Sequence, residues 1–240
     1  MQVSRRTGFT GSALIRLLAR LTEIDVPEPR HAFADRLSHW LGWTDAISLS
    51  GALNAGPPAL AAGARAARGS GSEEDECVRL RGVLAKAIAD DSALLAAEKE
   101  RPDNPGTPEK AADFSPYRRR YLARQQTMEM AIGPLRERLR ASLASQSPAM
   151  AQLAAVDAVM EQALSAQEYR LLATVPGLLE KHFRRLRQAQ QAVPDEPEGG
   201  TPQAAWQDVF RKDMQAVLLA ELDIRLEPVE GLLEALRKSS

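Results

Sequence analysis

Residues 115–139 read SPYRRRYLARQQTMEMAIGPLRERL, and their pattern decides the fold. Ser115-Pro116 has the form of a helix start, a hydroxyl cap followed by a proline whose missing N–H costs nothing in the first turn. Tyr117, Tyr121, Met128, Ile132, Leu135 and Leu139 then recur at spacings that line one helical face. The same device returns twice. Ser147-Pro148 opens a segment with Leu153, Val156, Met160, Leu164, Leu171, Leu178 and Leu186. Thr201-Pro202 opens another with Trp206, Phe210, Met214, Val217, Leu222, Val229, Leu233 and Leu236. Unbroken, a segment such as 148–192 would reach roughly 65 Å at the helical rise. Pro134, Pro176 and Pro228 are expected to kink these helices or split them into stacked pieces. The very short connection after Leu143 predicts an antiparallel three-helix bundle or a coiled-coil-like hairpin over 115–240.

Composition extends this to the whole chain. Ala and Leu together number about 70 of 240 residues and Val and Ile about 17, a ratio that favours helix over strand. An all-α fold is therefore expected throughout. Hydrophobic residues at 44% and charged residues at 26% exclude a wholly disordered chain, a collagen-like one and a polytopic membrane protein. No stretch supplies the ~20 apolar residues of a spanning helix. Arg5-Arg6 before Phe9 faintly resembles an export signal, but Arg16 and Arg20 interrupt the apolar run, so a cytoplasmic protein is expected.

Five regions follow. Residues 1–53 form an N-terminal helical block. Its first helix is capped by Thr10 and lined by Leu14, Leu17, Leu18 and Leu21, and Pro27 and Pro29 end it. A second helix from about Arg30 is expected to bury Phe33, Leu37, Trp40 and Leu41 up to Gly42. Thr44 caps a third, carrying Ile47, Leu49 and Leu53. Residues 54–72, rich in Gly and Ala, read as a flexible linker. Ser72 and Asp75 suggest a capping box for a connecting helix over 73–100, and the Pro-rich 101–114 read as a loop before the bundle.

The chemistries that leave motifs find none here. His31, His39 and His182 are scattered without metal-ligand spacing. Cys77, the one cysteine, excludes an intramolecular disulfide; with Glu74, Asp75 and Glu76 around it, it reads as a structural thiol. Gly8 to Ser12 lacks the preceding strand and the Gly-Lys-Ser/Thr of a phosphate loop. No nucleophile elbow is present. No cofactor, metal or enzymatic activity is expected.

The feature with spatial logic is basic. Arg118, Arg119, Arg120 and Arg124 open the first long helix, and Lys181, Arg184, Arg185 and Arg187 lie near the end of the second. A fold-back at 145–147 sets residue 120 opposite roughly residue 173, so both groups collect at one bundle end. Arg211 and Lys212 join them if the third helix also returns. With a net charge of -1, any nucleic-acid binding has to come from such a local patch. A solvated face or an acidic protein partner are the other readings. The long apolar stripes also suggest a homo-oligomer or heteromer.

Residues 6–22 (RTGFTGSALIRLLARLT), 33–47 (FADRLSHWLGWTDAI) and 115–121 (SPYRRRY) carry a resemblance, with WLGWTD at 40–45 its most specific piece. The chain resembles an uncharacterised proteobacterial all-helical family encoded beside MotA/TolQ-like and OmpA/MotB-like genes. Those neighbourhoods resemble the type III form of Zorya anti-phage defence. The resemblance implies a cytosolic accessory protein of a proton-driven membrane motor. The candidate partners it implies are a second accessory protein of the same operon, the MotA/MotB-like motor and phage DNA. It transfers no catalytic or binding residues.

Overall fold

A computed structural model describes residues 12–23, 33–54, 70–100, 113–191 and 202–239. Among them the chain forms eight helices and no strand: α1 (Ala13–Thr22), α2 (Phe33–Trp40), α3 (Trp43–Asn54), α4 (Ser70–Glu100), α5 (Ser115–Gln146), α6 (Pro148–Leu172), α7 (Val175–Gln191) and α8 (Pro202–Ser239).

The bundle has four members rather than three, because the connecting helix α4 is one of them. Along α4, Glu76 meets Arg138 of α5 and Asp91 meets Arg124, so these two helices run antiparallel. On its other flank Arg81 reaches Glu230 at 2.8 Å and Glu74 meets Arg237, so α4 is antiparallel to α8 as well. Ser147 ends α5 and begins α6 in the same residue, its hydroxyl accepting the Met150 N–H at 3.2 Å. In the hairpin so formed Arg136 clasps Asp157 at 2.7 and 2.9 Å. The path is thus down and back twice, which leaves α5 and α8 parallel and in contact through the middle.

The apolar repeats explain the core. Tyr121, Met128, Ile132, Leu135 and Leu139 of α5 are buried, as are all eight positions predicted for α8 from Trp206 to Leu236. At one end Phe114 and Tyr117 interleave with Phe183, Trp206 and Phe210, ring centroids 5.0 to 6.4 Å apart. That cluster fastens the starts of α5 and α8 to α7.

The segment 148–191 splits near Pro176, one of the two outcomes expected there, but its inward face is not the expected one. It breaks at Ala173-Thr174, where the Thr174 hydroxyl and N–H both bond back to the Leu171 carbonyl. The break resets the helical phase. Ala151, Ala154 and Leu172 are buried in α6 and Val175, Leu179 and Phe183 in α7, while the expected Leu153 and Leu171 face outward. Pro176 sits in the first turn of α7, where proline is tolerated. Pro134 and Pro228 lie inside helices that continue past them.

Helix starts also differ. Ser12 caps α1; Thr10 lies outside the described residues, as do the prolines after this helix. Helix α4 begins at Ser70, placing Ser72 within its first turn rather than at its cap. Asp113 takes the Ser115 hydroxyl and N–H, so Ser115 is the first helical residue of α5. Thr201 is outside the described residues.

The three N-terminal helices do not gather into a block of their own. Helix α1 buries Leu14 and Leu21 against α7 and α8, whereas α2 and α3 lie on α6. Gln152 of α6 holds the Leu53 carbonyl at the end of α3 at 2.6 Å. Trp40, expected inside, is more than one-third exposed, and Leu53 is on the surface, because among the described residues α2 and α3 pack mainly on α6 alone.

One polar hub sits in the core. Glu221 of α8 is fully buried and accepts from the Tyr121 hydroxyl at 2.6 Å, from Gln125 at 3.0 Å and from Arg225 at 2.9 Å. Gln125 also donates to the Leu172 carbonyl at 3.2 Å, satisfying the end of α6 where the break leaves it open. Burial and the adjoining carboxylate push the Tyr121 hydroxyl far above its usual pKa, so it stays a donor. Removing the acceptor strands three donors. Glu221→Ala is expected to cost about 3–5 kcal/mol, and Tyr121→Phe about 1–2 kcal/mol. Urea unfolding followed by far-ultraviolet circular dichroism checks both; similar losses for the two variants would contradict the hub.

Candidate functional site

The bundle end carrying the α5 start, α7 and the α8 start brings the predicted cations together, but most are already engaged. Asp91 of α4, buried, takes Arg124 at 2.9 Å and Arg120 at 3.3 Å. The bond to Asp91 raises the Arg124 pKa further above its ordinary value. Arg185 donates to the Leu21 carbonyl and pairs with Glu23 at 2.9 Å, which pins α1 to α7. Arg211 is buried and pairs with Asp208. Arg184 pairs with Glu180 one turn away. What remains turned outward is smaller: Arg118, Arg119, Lys181 and Lys212 are exposed.

Three of the cations share one pocket. Arg118 of α5 and Arg184 and Arg187 of α7 line a recess of about 250 Å³ with Asp113, Ser115 and Glu180. The hydrogen bonds from Ser115 hold the Asp113 carboxyl below the usual aspartate range. Arg184 is already on Glu180 there, so Arg118, exposed at the rim, is the cation placed to meet an anion.

His182, one of the three scattered histidines, is buried in a fixed arrangement. Arg185 donates to its Nδ1 at 3.1 Å, so Nε2 carries the proton and donates to Asp213 at 2.8 Å. That makes it a clamp between α7 and α8. Among the described residues no group of His, Cys, Asp and Glu has a metal-binding arrangement. His39 is on the surface, and His31 lies outside the described residues. Cys77 is buried, and burial pushes its thiol pKa up, as a structural thiol requires. A cleft of about 670 Å³ lies between α4 and α5 beside the Glu76–Arg138 pair.

Sequence periodicity missed the apolar surface. Helix α3 buries none of its residues, and Trp43 (83% exposed), Ile47 and Leu53 project from it. Further along α6, Tyr169 and Leu171 are more than half exposed, as is Met130 on α5. The signal that could have found them is the high apolar content of 43–53 with weak amphipathic order, a helix with more grease than one contact face can cover.

The consequences for stability separate the two kinds of arginine. Arg124→Glu sets a carboxylate against buried Asp91 and is expected to cost about 3–5 kcal/mol, while Arg118→Glu and Arg119→Glu stay within about 0.5 kcal/mol of the parent. Thermal melts of the three variants read this directly. Equal melts would mean that Asp91 does not anchor α4.

A family model described as a protein of unknown function (DUF3348) matches residues 1–238. No curated protein matches the chain, and no solved structure does.

Proposed function

We propose that this chain, which belongs to the DUF3348 family, is a non-enzymatic docking protein whose α2–α3 face receives a partner protein. The observation that carries this reading is the solvated apolar edge of α3, with Trp43 at 83% exposure beside Ile47. A tryptophan held in water on a regular helix is the residue most enriched at the centres of protein interfaces. The WLGWTD run at 40–45, the most specific part of the resemblance described above, falls on this same edge. In the anti-phage setting that the resemblance implies, the occupant is the second accessory protein of the operon, and through it the MotA/MotB-like motor. No helix among the described residues is long and apolar enough to cross a membrane, so contact with a motor would be peripheral. Co-expression with that neighbouring accessory protein should yield a complex that survives size exclusion. Trp43→Asp with Ile47→Asp should weaken it by at least about tenfold while leaving the melting curve unchanged, since both side chains are solvated. A complex indifferent to these changes, or none at all, overturns the proposal.

A second reading rests on the recess shared by Arg118, Arg184 and Arg187, which suits a nucleic-acid phosphate. It predicts duplex DNA binding that falls steeply with salt. The variant to use reverses Arg118, Arg119, Arg184 and Arg187 to glutamate and spares Arg120, Arg124, Arg185 and Arg211, whose loss would loosen the bundle itself. Unaltered gel shifts for this variant would exclude the recess as a DNA site.

A further inference from the structure

Helix α6 meets α8 only sparingly, because the break at Ala173-Thr174 lets α7 take over the packing on α8. Between α6 and α8 an open slot results, with α5 as its floor. Its larger part has a volume of about 430 Å³; a smaller part of about 280 Å³ lies at Leu122 and Gln125 and shares Glu129, Tyr169 and Arg225 with it. From Leu122 to Arg136 the floor is about 21 Å long at the helical rise, or about four turns. Apolar surface is offered by Leu164, Tyr169 and Leu171 from α6, Ile224 and Pro228 from α8, and Trp40 of α2.

The charge around the slot has one sign in excess. Arg136 and Arg140 are held by Asp157 and Glu161, and Arg225 by Glu221 and Glu168. Three guanidiniums thus answer four carboxylates. Glu129 and Glu227 also line the slot, and among the described residues no cation pairs with either. Of the residues that line the slot itself, Glu129, Glu161, Glu168 and Glu227 face Arg136 and Arg225, an excess of two negative charges. The wall carries a further acceptor: Pro228 has no N–H to give the Ile224 carbonyl four residues before it, and both residues line the slot.

We infer that this slot receives a basic amphipathic helix of a partner protein, its apolar stripe on Tyr169, Leu171 and Ile224 and its lysines or arginines against Glu129 and Glu227. The inference rests on the docking reading above and adds a second contact surface with a stated chemistry. The pairing is helix-in-groove recognition, in which anchors at i, i+3, i+4 and i+7 set the register. The acidic rim speeds encounter with a cationic helix and disfavours an acidic one.

A fluorescein-labelled helical peptide of about five turns, leucine on one stripe and lysine elsewhere, is the probe, with a glutamate-for-lysine peptide as its control. Fluorescence anisotropy with the full chain should show binding of the lysine peptide and at least about tenfold weaker binding of the glutamate peptide. Ser165→Trp fills the slot from an exposed position of α6 and should weaken the lysine peptide by a similar factor; so should Glu129→Lys with Glu227→Lys. Trp43→Asp with Ile47→Asp should leave this peptide's binding unchanged, so failure of the α3 docking face and failure of the slot are read separately. Equal binding by Ser165→Trp and the parent overturns the inference. So does self-association of the parent that Ser165→Trp abolishes, which would assign the slot to a second copy.

Discussion

The carboxylate of Glu221, out of contact with solvent, is the constraint around which the bundle is arranged. It has room for four hydrogen bonds and receives them from α5 and α8 together, through Tyr121, Gln125 and Arg225. Hydrophobic burial alone would tolerate many axial offsets between two long leucine-rich helices, since sliding one by a turn exchanges one leucine for another. An unpaired buried carboxylate does not tolerate that. Gln125 extends the same requirement to the last carbonyl region of α6, so the level of the break in the third long segment is tied to the level of the hub. The exposure of Tyr169 and the opening between α6 and α8 both follow from where that break falls.

Electrostatics divides the molecule's cations between structure and surface. A chain with 31 basic and 32 acidic residues looks neutral on average, yet the distribution is uneven. Arginines on Asp91 and Asp157 sit between helices, and Arg225, one turn from Glu221 on α8, also reaches Glu168 of α6, so their partners remove them from any external role. Such pairs contribute little net stability but penalise misassembly, because each wrong arrangement buries a charge alone. Only after these are set aside does the basic end shrink to the recess at Arg118, Arg184 and Arg187, and the opposite sign emerge along the α5 floor.

How much of this was legible follows from the physics of each region. Helix α8 was readable residue by residue because Trp206 to Leu236 keep one phase over an unbroken helix. So was the level at which α5 and α6 face each other, since a one-residue connection leaves no freedom: residue 120 was expected opposite roughly 173, and Gln125 meets Leu172. The inward face of 148–191 was not, because the phase changes at two ordinary residues, Ala173 and Thr174; Pro176 signals a kink or a split, and the split occurs, but a proline does not say which face the next helix turns inward. The membership of α4 in the bundle and the capture of Arg124 by Asp91 depend on contacts between distant parts of the chain, which no local pattern encodes. The α3 surface was misjudged for a related reason: an apolar residue is buried only if another element arrives to cover it.

Ser147 closes one helix and opens the next with no residue between them, so α5 and α6 are joined as a rigid prong whose two tines cannot slide past each other. Arg136 and Arg140 bridge the tines side by side on Asp157 and Glu161. Tension along the prong would load these bridges together in shear instead of peeling them singly.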